Sequence, residues 1–69
     1  MRLSARNQIK GTVRDVKKGA TTSHVTIDIG GGNIVTASIT NESVDVLGIK
    51  TSGKVTAVIK ASDVMIGVD

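Results

Sequence analysis

Apolar and polar residues alternate along much of the chain, as they do in strands that bury one face. In the first such segment, apolar residues and a glycine occupy alternate positions from Ile9 to Val13, and the phase then slips so that Val16 is the next apolar residue. A slip of one position predicts a β-bulge, which bends a strand around a small barrel. The segment therefore predicts a bent strand.

A second alternating segment runs from Val25 to Ile29. It is followed by a glycine run and Asn33, and then by a third segment from Ile34 to Thr40. Glycines supply the positive φ angles of a tight connection, so residues 23–40 are predicted to form a β-hairpin. The glycine run is interpreted as a turn and not as a phosphate-binding loop, because no Gly-Lys-Ser/Thr sequence follows it.

The period changes between Thr40 and Gly48. Thr40 or Asn41 can cap a helix, Val44 and Leu47 recur at a spacing of three, and Gly48 can end the helix in the left-handed region. A turn follows at Ser52–Gly53. This stretch predicts a helix of two turns or fewer.

Residues 55–61 predict a strand that is apolar on both faces, and residues 64–66 predict a last strand. The chain is thus expected to be all-β with one short helix, as a five-stranded small β-barrel. The natural architecture is a closed or partly open barrel of the oligonucleotide/oligosaccharide-binding (OB) type, with residues 1–69 as a single domain.

The composition indicates a thin core. The chain has 69 residues, no cysteine and no aromatic residue. A domain this small is marginally stable alone, and without disulfides its usual remedy is association with copies of itself. We therefore expect a homo-oligomer. We also expect a cytoplasmic protein without a membrane partner, because neither a signal peptide nor a membrane-spanning apolar run is present.

Positive charge is concentrated at the start of the chain. Residues 1–18 contain six bases and one acid, whereas residues 19–69 contain three bases and five acids. Such a segment can be a solvated face, or it can attract phosphate, nucleic acid or a small oxyanion. The lack of aromatic side chains speaks against nucleic acid, because stacking supplies about 1 to 3 kcal/mol per base in single-strand binding.

The acids and the single histidine do not form a catalytic or metal-binding pattern. The aspartates are scattered over separate elements, and His24 has no cysteine or second histidine at ligand spacing. We expect neither an enzyme nor a bare metal cation. By contrast, Ser4–Gln8 and Lys60–Asp63 combine hydroxyls, amides and positive charge, which suits an anion.

Several short segments, in order along nearly the whole chain, carry a resemblance to a known family. They are Ser4–Gln8, Lys10–Gly11, Lys17–Ala20, Asp28–Asn33, Thr40–Val44, Leu47–Gly48 and Lys60–Ile66. In these segments the sequence resembles the molbindins, small molybdate-binding proteins whose domain also occurs as a Mop or TOBE module in molybdate-responsive regulators and transporter ATPases. The resemblance implies intracellular binding and storage of molybdate or tungstate by a homohexamer, a trimer of dimers, with oxyanion sites between subunits.

The resemblance also implies two classes of site. The interface class comprises Ser4, Ala5, Arg6, Ser43, Lys60, Ala61 and Ser62, with Ser43 supplied by a neighbouring chain. It leaves open whether the Arg6 guanidinium or only its N–H contacts the anion. The axial class, near the symmetry axis of the oligomer, comprises Lys18, Gly19, Ala20, Thr21 and Thr22.

Two alternatives remain open at the level of sequence. One is an OB-type nucleic-acid-binding domain, which the basic N-terminal segment favours. The other is a purely structural assembly module whose anion sites are vestigial. Titration with molybdate and with short DNA separates oxyanion binding from nucleic-acid binding, and a Lys60 substitution without loss of affinity would favour the structural module.

Overall fold

The fold is described by a computed structural model that covers residues 1–69, and it is built on one antiparallel sheet. Its elements in chain order are β1 (Asn7–Lys18), β2 (Thr22–Gly30), β3 (Asn33–Thr40), α1 (Asn41–Leu47), β4 (Lys54–Ile59) and a one-turn 3-10 helix (Ala61–Asp63). The strands lie in the order β3-β2-β1-β4.

The bulge and the hairpin that the alternation predicts are both present. The register of β1 against β2 shifts between Val13 and Asp15, so the bulge falls at Arg14. Strands β2 and β3 form the hairpin, and the glycines at 30–32 all have positive φ. Both features depend on local sequence, which explains why the pattern locates them.

The short helix also begins and ends where the sequence predicts. The Thr40 hydroxyl accepts a hydrogen bond from the Ser43 N–H at 3.0 Å, which caps α1. Gly48 follows the helix with a φ of 64°, and its N–H bonds to carbonyls of the last turn. Val44 anchors the helix because its side chain is buried in the core.

The sheet curls into a half-barrel and confirms the mostly β, OB-like fold class. Strands β3 and β4 are its edges, and each has one side without a paired strand. The predicted fifth strand is not formed: residues 64–69 have no regular secondary structure, because no strand of the same chain is paired with them. Strand β4 also ends earlier than predicted, at Ile59, because the chain turns into the 3-10 helix.

The core is as thin as the composition indicates. Only six of 69 residues are buried, and the apolar ones are Val13, Val25, Ile27, Val44 and Ala57. Met65 lies outside this core with 93% of its surface exposed. Ile66 and Val68 are each 92% exposed. The chain therefore carries a strongly apolar segment that its own fold leaves uncovered.

Gly11 allows β1 to approach the end of β2 closely. A Cβ at this position would lie 2.6 Å from Ile27 Cγ2 and 2.7 Å from the Asp28 carbonyl oxygen. Any larger residue would push these strands apart, so Gly11 maintains the curvature that brings the ends of the sheet round.

Neither helix has the length and apolar character needed to cross a bilayer.

Two candidate anion-binding regions

The first region is the terminal pair, which we define as residues 4–6 and 60–62. Strands β1 and β4 are paired from Asn7 opposite Ile59, so the residues just before β1 and just after β4 leave the sheet side by side. The Asn7 side-chain amide donates to the Ile59 carbonyl at 3.2 Å and holds the two segments together. Six of the seven residues predicted for the interface site therefore lie within three positions of the Asn7–Ile59 pair.

The donors of the terminal pair have no internal partners. The side chains of Ser4, Arg6, Lys60 and Ser62 are exposed, and none of them makes a hydrogen bond or ion pair within the chain. The only ion pair of the chain lies elsewhere, between Lys18 and Asp45. Two hydroxyls and two fixed positive charges are therefore available to an acceptor from outside, which is the chemistry that an oxyanion requires.

Ser43, the seventh predicted residue, lies apart from the terminal pair. It belongs to α1, which packs against β2 and β3, whereas the terminal pair lies at the other end of β1. Its N–H donates to the Thr40 hydroxyl oxygen, and the Thr40 hydroxyl donates to Ser43 Oγ at 2.8 Å. The Ser43 hydroxyl proton remains available to an acceptor. Because Ser43 lies apart from the terminal pair of its own chain, it could reach such a site only in a second copy of the chain.

The second region is the β1–β2 loop, residues 18–22, which was predicted as the axial site. The carbonyls of Gly19 and Ala20 accept hydrogen bonds from the Asn41 side-chain amide at 3.1 and 3.4 Å. The Thr21 carbonyl accepts from the Asn41 backbone N–H at 2.9 Å, and the Thr22 carbonyl accepts from Gly19 at 2.7 Å. Every carbonyl from 19 to 22 is therefore occupied.

Two N–H groups of the same loop, unlike its carbonyls, have no hydrogen-bond partner within the chain. Those of Ala20 and Thr21 make no hydrogen bond to any backbone or side-chain acceptor of the chain, and both residues are exposed. Two successive N–H groups without internal acceptors are thus available to an acceptor from outside the chain. Lys18 adds charge beside them, although its ammonium is 3.1 Å from the Asp45 carboxylate.

Sequence reasoning missed several residues around the loop. The sequence indicates Asn41 only as a possible helix cap, and its bonds to residues 19–21 span twenty or more positions, so no local signal reveals them. A shallow depression beside the loop is lined by Lys17, Lys18, Gly19, Thr22 and His24. His24 lies on the outer face of the sheet opposite Lys17, as its place in the alternation predicts. No cluster of acid, cysteine and histidine side chains suited to a metal ion occurs in the chain.

Comparison with known proteins identifies the family. Residues 3–66 match the TOBE domain. The chain belongs to the TOBE domain family. The molybdenum-pterin-binding protein 1 of Clostridium pasteurianum is 52% identical over 66 residues, which cover 96% of this chain and 97% of that protein.

Solved structures agree with this TOBE assignment. MopII from Clostridium pasteurianum is 48% identical, and the match has a TM-score of 0.90 and covers 97% of this chain and all of that one. ModG, a cytoplasmic molybdate-binding protein whose structure contains molybdate, is 45% identical with a TM-score of 0.94; the match covers this whole chain and 49% of ModG. The resemblance to molbindins is confirmed.

Proposed function

We propose that this TOBE domain binds molybdate or tungstate and stores or buffers it, with sites at the subunit interfaces of a homohexamer. The observation that carries the proposal is the terminal pair, where four donor side chains without internal partners emerge from adjacent strand ends. The similarity to proteins named for molybdenum-pterin binding and for molybdate binding supports the choice of ligand. In this role the protein acts by binding and not by catalysis.

The donor set of the terminal pair matches a tetrahedral dianion. Such an ion has an acceptor oxygen at each corner, so its site needs donors on several sides together with positive charge. Ser4 and Ser62 donate through their hydroxyls, Lys60 supplies charge, and the main-chain N–H groups of Arg6 and Ser62 complete one side. Ser43 of the partner subunit closes the other side.

Self-association is supported by an apolar groove and an uncovered segment. The groove, about 440 Å³, lies between β3 and β4 and is lined by apolar residues such as Val35, Ile39 and Val55. Residues 64–68 of a second copy are its natural occupant, because they are apolar, exposed and without secondary structure. Added as a strand, they would also pair with an unpaired edge of the half-barrel. Association would then bury the apolar surface that the single chain leaves in water.

The β1–β2 loop provides the second class of site in this proposal. Copies of the loop around a symmetry axis would bring together the Ala20 and Thr21 N–H groups, with Lys18 as the source of charge. Because binding at subunit interfaces favours the assembled form by mass action, molybdate should strengthen the oligomer. The proposed location is the cytoplasm, by analogy with ModG.

Calorimetric titration with molybdate and with short single-stranded DNA tests the proposal. We expect saturable binding of molybdate and no binding of the DNA. Binding of DNA without molybdate would favour the nucleic-acid alternative. An oligomer that binds neither ligand would favour the structural module.

A further inference from the structure

We propose that Asn41 is the positioning residue of the β1–β2 loop and that it makes this loop a donor surface for an oxyanion. This inference rests on the proposed function, because it assigns how the second class of site is built. Asn41 does not touch the anion. It holds the loop carbonyls on the protein side, so that the N–H groups of Ala20 and Thr21 remain on the other side.

Asn41 alone satisfies several hydrogen-bonding groups of the loop. The Asn41 side-chain amide donates to the carbonyls of Gly19 and Ala20, and its backbone N–H donates to that of Thr21. Three successive carbonyls thus converge on a single half-buried residue. A carbonyl oxygen facing a dianion would repel it, so this arrangement removes the acceptors from the site.

A buried serine contributes to the orientation of the Asn41 amide. Ser23 has no exposed surface, and its hydroxyl donates to Asn41 Oδ1. With Oδ1 occupied in this way, the NH₂ group must face the loop carbonyls, where the opposite orientation would place oxygen against oxygen. The loop carbonyls, which only accept, and the Ser23 hydroxyl, which satisfies Oδ1, together set which end of the amide meets the loop.

The helix holds Asn41 in place. Asn41 is the first residue of α1, which the Thr40 cap stabilises at its start and which Val44 anchors in the core. The loop is consequently attached to the core through α1, and its two unpaired N–H groups belong to an ordered segment. Donors that are already oriented bind an anion without a further loss of conformational entropy.

Asn41→Ala tests the inference. It removes the donors to Gly19 and Ala20, so those carbonyls can turn outward, and we expect about tenfold weaker molybdate binding at the loop class of site. Binding at the terminal pair should be unchanged. Calorimetry resolves the two classes, and native mass spectrometry counts subunits and retained anions in the same sample.

NMR provides a readout that a merely structural role would not change. In the wild-type protein, molybdate should shift the amide protons of Ala20 and Thr21 downfield as they begin to donate to it. In Asn41→Ala this shift should be reduced or absent. Asn33→Ala is the matched control, because Asn33 is an exposed asparagine at the start of β3, and it should behave as wild type.

Should Asn41→Ala fail to fold, Ser23→Ala keeps Asn41 but leaves its Oδ1 without a donor and its side chain less firmly held, and we expect about threefold weaker binding at the loop. The inference is overturned if a folded variant keeps wild-type affinity and amide shifts at the loop. It is also overturned if both classes weaken equally. Failure of the proposed function is a different result, in which the wild-type protein itself takes up no molybdate.

Discussion

The terminal pair and the β1–β2 loop both offer donors to an anion, but they are prepared in opposite ways. In the loop every carbonyl is bonded and the position is set by contacts within the same chain, chiefly from Asn41. In the terminal pair the side chains of Ser4, Lys60 and Ser62 have no partners, and Ser43 lies at the other end of β1. In the proposed function the loop is therefore formed by one chain alone, whereas the terminal pair would be completed only by assembly.

This difference teaches how a small domain can couple ligand binding to its own association. A chain with only six buried residues has little stability to support a complete pocket of its own. Dividing the site between two copies places the stabilising contact and the binding contact in the same interface. Substitutions can separate the binding groups that one chain supplies from those that need a second copy.

The largest expected effect comes from Ile66→Asp. Ile66 is 92% exposed, so in an isolated chain the substitution should be harmless. If residues 64–68 fill the groove of a second copy, an unpaired carboxylate is buried there, and we expect molybdate affinity at the terminal pair to fall by about a hundredfold or more. Analytical ultracentrifugation measures the loss of the oligomer, and calorimetry measures the loss of molybdate affinity.

The control for this variant is Asn33→Asp, which adds the same charge at an exposed position at the start of β3. It should keep the wild-type oligomer. The β1–β2 loop of Ile66→Asp should also keep its amide chemical shifts, because the partners of its hydrogen bonds are in the same chain. An Ile66→Asp protein that remains fully assembled would contradict the assignment of the groove.

A smaller effect is expected from Lys60→Gln, which removes one positive charge from the terminal pair. Losing a charged hydrogen bond should weaken molybdate binding there by about ten- to a hundredfold and leave the loop class unaffected. Calorimetric titration checks the change, and Lys50→Gln, in the turn before β4, serves as control. Unchanged affinity would show that Lys60 is a solvated surface lysine.

Competition among oxyanions should separate ligands by size. Tungstate is nearly isosteric with molybdate and should displace it at similar concentrations. Sulfate is smaller and leaves donors beyond hydrogen-bonding distance, so we expect its binding to be at least about tenfold weaker than that of molybdate. Competition calorimetry measures both ions, and equal affinity for sulfate would argue against a pocket matched to the larger anion.

The smallest effect, of opposite sign, is expected from Asp45→Asn. Asp45 holds the Lys18 ammonium at 3.1 Å and adds negative charge near the β1–β2 loop. Its neutralisation should strengthen anion binding at the loop by about two- to fivefold, while folding stability changes by less than about 1 kcal/mol, because both side chains are largely exposed. Weaker binding in Asp45→Asn would indicate that the ion pair positions Lys18 for the ligand.

Features governed by neighbouring residues could be predicted from the sequence. The bulge near Arg14, the glycine turn and the Thr40 cap each follow from residues within a few positions of one another. The adjacency of residues 4–6 and 60–62 was expected from family resemblance, and the β1–β4 register explains it. Local signals suffice where the interacting partners are local.

Two features could not be predicted because their partners are distant or absent. The bonds from Asn41 to Gly19 and Ala20 depend on how α1 packs against the sheet, which no periodicity encodes. Residues 64–66 have the apolar pattern of a strand, yet a strand needs a paired edge, and the chain pairs none with them. The pattern indicates the propensity of that segment but not which chain satisfies it.

Native mass spectrometry of the wild-type protein with and without molybdate tests most directly whether binding and association share one interface. We predict an assembly of six chains that retains molybdate, with the anion stabilising the assembly against dissociation. A protein that remains a single chain at micromolar concentration and retains no molybdate would contradict this.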